Sequence, residues 1–423
     1  MSDNPTTGFN PNYLDELVVT QALANGNHAA ILNAYFGDAD YLELTQLAQR
    51  ALTTPINPRA PKLYLLPGLL GSKLGVDTSG QADLLWLEPA NVITGRLAEL
   101  IFGKSSSISP LGVLLPGYLK LALTLRGAGI SVKMFCYDWR RSVVDIGHQL
   151  ANEIARDTAD EIQIVAHSMG GLVARAALNH PSSSKITRLI QIGTPNNGSY
   201  ALVQTLRACY PTVRKLGALD QHHSAEQLIQ QIFSGFQSFY EMLPTASHTP
   251  NINLFEVECW PQDMLTPSTE QLKAGQLVIP WLAKADHRCH TILGTEQTTV
   301  TGIRRGDNGF IFQFSSQGDG TVPTALGYWQ DAQHWYIADT HGRLPRNSQV
   351  CQAVVDLVNT NTTSLLSTQS TSQVGVISEQ TESDLKLLAN QKLHWERLPL
   401  NERRDLLEPS ISDVFTSACS ALN

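Results

Sequence analysis

Apolar residues fall into short runs along most of the chain, and the spacing of those runs predicts its elements. Leu63–Leu66, Val132–Tyr137, Ile162–Ala166, Leu189–Ile192, Thr291–Leu293 and Trp335–Ala338 are rich in aliphatic and aromatic residues, and helical patterns separate them. Short strands alternating with helices predict a mostly parallel central sheet flanked by helices on both faces, an α/β architecture. Ahead of the first run, residues 1–60 mix polar loops with helical patterns, clearest over Tyr41–Leu52. They read as an N-terminal helical extension.

The core is expected in two parts, 61–195 and 286–358. Between them, from Asn196 to Ala285, lie about 90 residues, far beyond the roughly 12–15 that an unstructured loop reaches. This insertion, 196–285, is expected to form a helical cap. Its stretch from Ala225 to Met242 carries Leu228, Ile229, Ile232, Phe233, Phe236, Phe239 and Tyr240 at helical spacing. Those side chains either pack the cap or line an apolar pocket. Residues 359–383 are polar and of low complexity and read as a flexible linker. Residues 384–423 follow as a C-terminal helical tail, with helical patterns at Leu385–His394 and Asn401–Leu407.

Composition narrows the function. The chain has 423 residues and a formal net charge of −8, without a block of Lys or Arg, so it offers nothing to neutralise a run of nucleic-acid phosphates. Its six cysteines, Cys136, Cys209, Cys259, Cys289, Cys351 and Cys419, are scattered and read as reduced thiols. The polar start, Met1-Ser-Asp-Asn-Pro, lacks the basic and apolar regions of an export signal, which points to the cytoplasm. The most apolar stretch, Leu111–Leu125, is broken by Pro116, Gly117 and Lys120 and is too short to span a bilayer. A peripheral contact with lipid stays compatible with this sequence.

The chemistry concentrates in Ile162-Gln-Ile-Val-Ala-His-Ser-Met-Gly-Gly171, a β-branched run leading through a serine into a helical pattern. This is the pattern of a nucleophile elbow, in which Ser168 sits on a sharp strand-to-helix turn and Ala166 and Gly170 are small to avoid collisions. The helix start offers the Met169 amide to a developing oxyanion. A serine needs a base, and the base needs a carboxylate to fix its tautomer. Asp319, in the glycine-bracketed turn Ser316–Pro323, is the preferred acid. Asp307, in Arg305-Gly-Asp-Asn-Gly309, is the rival and reads better as a hairpin turn. His341, just past the Trp335–Ala338 run, is the expected base, because active sites of open α/β sheets gather at the carboxyl ends of their strands. His334 stands at the other end of that run. His287 and His290, in His-Arg-Cys-His, read as surface residues with no second ligand cluster for a metal. The second oxyanion donor is expected from the glycine-punctuated loop Leu65-Leu-Pro-Gly-Leu-Leu-Gly-Ser-Lys-Leu74, with the Leu69 amide the best placed.

With these residues in hand, the sequence resembles the lecithin:cholesterol acyltransferase family, which includes lysosomal phospholipase A2 and phospholipid:diacylglycerol acyltransferases. The likeness rests on Pro67–Leu74, Tyr137-Asp-Trp-Arg140, Ala166–Gly171, Gly193-Thr-Pro-Asn-Asn-Gly198, Gly318–Pro323 and His341. It implies an α/β-hydrolase fold, a triad of Ser168, Asp319 and His341, an oxyanion hole from Leu69 and Met169, and a cap over a lipid-accommodating cleft. No cofactor and no metal are implied. Residues 77–110 match the position of a lid that secreted members close with a disulfide, and here they hold no cysteine. Trp86-Leu87 and the apolar segment after it supply a lid without one. Tyr137, Asp138, Trp139 and Arg140 read as scaffold.

The expected activity is therefore hydrolysis of an acyl ester, lipid esters above all, or transfer of the acyl group to an alcohol. The competing reading is a catalytically silent hydrolase fold that binds a ligand or a partner. Retention of serine, acid and base in working order weighs against it. The physiological ester, the acceptor and the oligomeric state are left open by the sequence.

Overall fold

All six apolar runs fold as strands of one sheet in the computed structural model, which describes residues 9–78, 81–104, 107–249, 251–370, 375, 378–387 and 397. In chain order the strands are β1 (Lys62–Leu66), β2 (Ser72–Thr78), β3 (Gln81–Trp86), β4 (Ile108–Val113), β5 (Val132–Met134) and β6 (Ile162–His167). They continue as β7 (Ile186–Ile192), β8 (Cys289–Thr295), β9 (Thr299–Gly306), β10 (Gly309–Ser315), β11 (Gln333–Ala338) and β12 (Ser378–Thr381). The main sheet runs β11-β8-β7-β6-β1-β5, and every pairing in it is parallel. This is the α/β-hydrolase architecture. Strand β5 is shorter than its apolar run because the chain turns to Ser72, whose side chain accepts Tyr137 N–H at 3.1 Å and whose carbonyl accepts Trp139 Nε1–H at 3.0 Å.

Alternation along the strands splits the core in two. Leu63 and Leu65 of β1 face one way, with Val165, Ile190 and Ile292, onto helices Leu115–Gly127 and Ser348–Thr360. Tyr64 and Leu66 face the other way, onto helices Val143–Arg156 and Met169–Leu178. The N-terminal extension forms helices Glu16–Asn25, Ala29–Phe36 and Asp38–Thr53. Their Val19, Leu23, Leu32 and Leu44 close over Leu115, Leu119 and Leu123. The helix Leu115–Gly127 is thus covered on both sides, by the sheet and by the extension, which accounts for its apolar excess. No helix among the described residues is long and apolar enough to cross a membrane.

The insertion is helical, but Ala225–Met242 is not one helix. It divides into Ala225–Gln231, a 3-10 turn at Phe233–Gly235, and Gln237–Glu241. Extended backbone at Phe236 makes the break, and it turns the second helix so that its polar groups meet the core. Gln237 N–H donates to Arg140 O at 3.0 Å, Ser238 Oγ to Trp139 O at 2.6 Å, and Glu241 Oε2 accepts Val143 N–H at 2.6 Å. The Tyr137–Arg140 motif is therefore scaffold with a stated job: its backbone is where the insertion is fastened. Burial pushes the Glu241 carboxyl up to about 7, against the opposing pull of the Val143 amide.

Part of the segment expected to be a flexible linker is ordered. Asn359 and Thr360 complete the helix Ser348–Thr360, Ser367 bridges Tyr336, and β12 adds antiparallel to β10. Glu382, 3% exposed, then pairs with Arg207 of the insertion, 1% exposed, at 2.9 Å; Asp263 takes the same guanidinium at 2.6 Å. Polar composition misled because this stretch gains its order from backbone pairing to an existing sheet edge and from one buried charge pair. Removing one partner from a buried pair of this kind costs about 3–5 kcal/mol. Residues 371–374 and 376–377 lie outside the described residues. The expected tail helix Leu385–His394 is described through Leu387, within Glu382–Leu387, and the pattern at Asn401–Leu407 lies outside.

Candidate active site

Ser168 follows β6 directly and starts the helix Met169–Leu178 at φ +54°, ψ −127°. A non-glycine residue in that region costs about 1–3 kcal/mol and persists only where its surroundings enforce it. Here the enforcement is steric. A Cβ at Gly170 would lie 2.4 Å from Pro67 O, and one at Gly171 would lie 1.9 Å from Thr194 Oγ1. The small residues let the elbow sit tightly against the loop after β1 and the end of β7.

The three residues singled out from sequence meet at this point. His341 Nε2 lies 2.9 Å from Ser168 Oγ, and His341 Nδ1 lies 2.7 Å from Asp319 Oδ2. Because a carboxylate accepts, Nδ1 carries the imidazole proton, and Nε2 is free to accept the serine proton. The other carboxylate oxygen, Oδ1, accepts Thr321 N–H at 3.0 Å and Val322 N–H at 2.7 Å. Ser168, Asp319 and His341 are 8%, 1% and 8% exposed, so the three side chains are shielded while the serine hydroxyl still reaches a cleft. Gly193, at φ +59°, ends β7 against this pair; a Cβ there would stand 3.1 Å from His341 Nδ1 and 3.2 Å from Asp319 Oδ2.

Asp319 reaches its place by a detour. After β8 the chain makes the β9–β10 hairpin, with Asp307 exposed at its tip, and then returns so that Gln297 N–H binds Gly318 O at 3.0 Å. A Cβ on Gly294 of β8 would lie 2.5 Å from Asp319 Cβ. The carboxylate thus stands at the carboxyl end of β8. His334 stacks on Tyr328 and lies away from the serine. His290 is buried, not at the surface as its sequence context suggested: its Nε2 meets Asn361 Oδ1 at 2.9 Å, and Trp335 Nε1–H donates to its Nδ1 at 3.3 Å. A strand-end imidazole beside an indole is covered by the helix Ser348–Thr360, which the local sequence does not reveal.

The amides of Leu69 and Met169 have no hydrogen-bond partner among the described residues. Gly68 brings its loop onto the serine, where a Cβ would be 2.8 Å from Ser168 Cβ. From the serine a mainly apolar cleft of about 750 Å³, counted to its open mouth, runs into the insertion. Leu69, Leu202, Val213, Leu216, Phe239 and Met242 contribute to its wall. Of the seven large residues noted in Ala225–Met242, Phe233 and Phe239 line this cleft; Leu228, Ile229, Ile232, Phe236 and Tyr240 are buried in the packing of the insertion. The lid-like stretch packs on the insertion instead: Gln221 N–H donates to Ile93 O at 3.1 Å, and Phe102 meets Phe236 edge-on at 6.2 Å. Pattern reading passed over Tyr118 and His167, which are hydrogen-bonded to each other and, through His167 Nε2, to the backbone carbonyl of His341. A signal for each was present, one being the sole phenol in an apolar stretch and the other the residue before the serine.

A model of the family described as lecithin:cholesterol acyltransferase matches residues 123–386, more than half of the chain. No curated protein matches it. Solved structures that resemble it include the mature form of the Bacillus licheniformis lipase BlEst2, at 15% identity over 72% of this chain and 94% of that one, TM-score 0.37. The Tle4–Tli4 complex gives 12% identity over 72% and 99%, TM-score 0.47. The Bacillus subtilis carboxylesterase CesB gives 10% identity over 72% and 86%, TM-score 0.33.

Proposed function

The chain belongs to the lecithin:cholesterol acyltransferase family and is an acyl-ester hydrolase or acyltransferase; on that premise we propose that it cleaves lipid esters through an acyl-enzyme on Ser168. The observation that carries this reading is the single imidazole of His341, hydrogen-bonded to Ser168 Oγ at 2.9 Å and to Asp319 at 2.7 Å. Ser168 Oγ attacks the ester carbonyl while its proton passes to His341 Nε2, and Asp319 stabilises the imidazolium. The amides of Leu69 and Met169 hold the oxyanion. Collapse expels the alcohol, which leaves with the proton from His341, and the acyl group stays on the serine. Water then attacks the acyl-enzyme, again giving its proton to His341, and the acid departs as Ser168 recovers its own. An alcohol in place of water would give acyl transfer by the same steps.

A fluorophosphonate probe is expected to label the protein once, on the peptide that carries Ser168, in an intact-mass and peptide-mapping experiment. A silent hydrolase fold would stay unlabelled. The apolar cleft supports a preference for extended acyl chains. In a series of p-nitrophenyl esters, kcat/KM is expected to rise from acetate to octanoate by about tenfold or more, since each buried methylene contributes about 0.8 kcal/mol before losses. A steady decline beyond acetate would rule the cleft out as an acyl site.

A further inference from the structure

The loop from Pro67 to Gly71 has to present an amide to the reacting carbonyl, and most of its other polar groups are tied down. Pro67 O accepts Tyr137 O–H at 2.5 Å, Leu70 O accepts Trp86 Nε1–H at 2.8 Å, and Gly71 O accepts Leu114 N–H at 2.9 Å. The Gly68 amide is held from a more distant element, the helix Leu115–Gly127: it donates to the Tyr118 hydroxyl at 2.8 Å. That hydroxyl also lies 2.9 Å from His167 Nδ1, and His167 Nε2 lies 3.0 Å from the backbone carbonyl oxygen of His341.

The direction of each bond follows from what each atom can do. A carbonyl oxygen only accepts, so His167 Nε2 carries the proton and Nδ1 is the acceptor of a neutral ring. Tyr118 then gives its one proton to Nδ1 and accepts Gly68 N–H on a lone pair. Burial holds His167 well below the usual imidazole range, with the neighbouring His341 acting in the same direction, and burial holds the Tyr118 phenol above its usual range. One proton arrangement therefore serves the whole chain of bonds, and it persists when His341 takes up a proton during turnover.

We propose that Tyr118 and His167 are positioning residues that couple the oxyanion loop to the loop carrying the base, fixing the Leu69 amide and the His341 ring across Ser168. This rests on the roles proposed above for Ser168, His341 and Leu69. Gly68 has no side chain with which to anchor itself, because a Cβ would stand 2.8 Å from Ser168 Cβ and 3.1 Å from His167 Nδ1. The phenol supplies that anchor from outside the loop. Neither Tyr118 nor His167 is among the residues that line the cleft, so loosening the coupling raises the transition state while leaving ester binding alone.

Tyr118→Phe removes a single oxygen atom. Its kcat, per active site titrated with a fluorophosphonate, is expected to fall about 10–100-fold with KM within about twofold. The Ki of a trifluoromethyl ketone, whose serine adduct carries the oxyanion, should rise in step. His167→Gln keeps a donor toward the His341 carbonyl and should lose less, and the double variant should be no worse than Tyr118→Phe within about threefold, because parts of one unit are not additive. Titration of active sites keeps the measurement valid in a preparation that folds poorly. A purely structural role would lower the melting temperature and the titratable fraction while kcat per site and the Ki stayed put, and that result overturns the proposal. Ser168→Ala, assayed alongside, separates the two readings: turnover by that variant removes the nucleophile assignment, whereas its silence beside a fully active Tyr118→Phe removes only the coupling.

Discussion

Ser168→Ala is expected to lower kcat on a p-nitrophenyl ester by at least about 10³-fold, and up to about 10⁶-fold, the range found when a triad serine is lost and only oxyanion donors and binding remain. The hydroxyl is the group hydrogen-bonded to His341 Nε2 at 2.9 Å, and its removal leaves the imidazole without the nucleophile whose proton it would accept. The fold should be unaffected. Alanine inherits the same left-handed backbone as serine at φ +54°, and the packing of Gly170 and Gly171 that enforces it is unchanged. Circular dichroism and the melting temperature should match the parent within about 1 °C, equivalent to about 1 kcal/mol in a chain of this size. Retained turnover in a folded variant would end the acyl-enzyme mechanism.

Asp319→Asn should cost about 10⁴-fold in kcat near neutral pH. The amide oxygen can still accept from Thr321 and Val322, whose N–H groups lie 3.0 and 2.7 Å from Oδ1, so the loop keeps its shape. The nitrogen then faces His341 Nδ1 as a donor. That forces the imidazole proton onto Nε2, where it blocks acceptance from Ser168. Asp307→Asn, at the exposed hairpin tip, should stay within about twofold of the parent, as surface changes away from a site do. A loss of less than tenfold in Asp319→Asn would mean that another carboxylate supports the base.

The strand–serine–helix elbow was legible because everything that makes it is local: strand, serine, small neighbours and helix lie within the seventeen residues Ile162–Leu178. The sheet was legible for a related reason, since strands covered on both faces are mainly apolar, and large apolar residues predominate in the six runs although Lys133, Gln163, Gln191 and Thr291 interrupt four of them. Asp319 was harder. Its place at the end of β8 is hidden behind the β9–β10 excursion, and only turn chemistry and family likeness favoured it over Asp307. The coupling through Tyr118 and His167 was not legible, because it joins residues about 50 apart in the chain and depends on how a helix packs on a loop. The order in 359–383 was hidden as well. Ser378–Thr381 carries no apolar pattern, and its partner β10 lies more than sixty residues earlier.

The union of Arg207 with Glu382 sets a timetable for how this chain is made. The two leave the ribosome 175 residues apart, an interval of roughly 10–35 s at ordinary rates of synthesis. Asp263 emerges first and gives the guanidinium a provisional counterion, but its own side chain is 45% exposed. Until Glu382 arrives, the insertion is complete in sequence yet lacks the carboxylate that neutralises its most deeply buried cation. Closure of the insertion is therefore a late act, completed only after the strands of the main sheet and the β9–β10 hairpin have been translated, and a product released prematurely before that carboxylate would hold a deeply buried cation with only a half-exposed counterion.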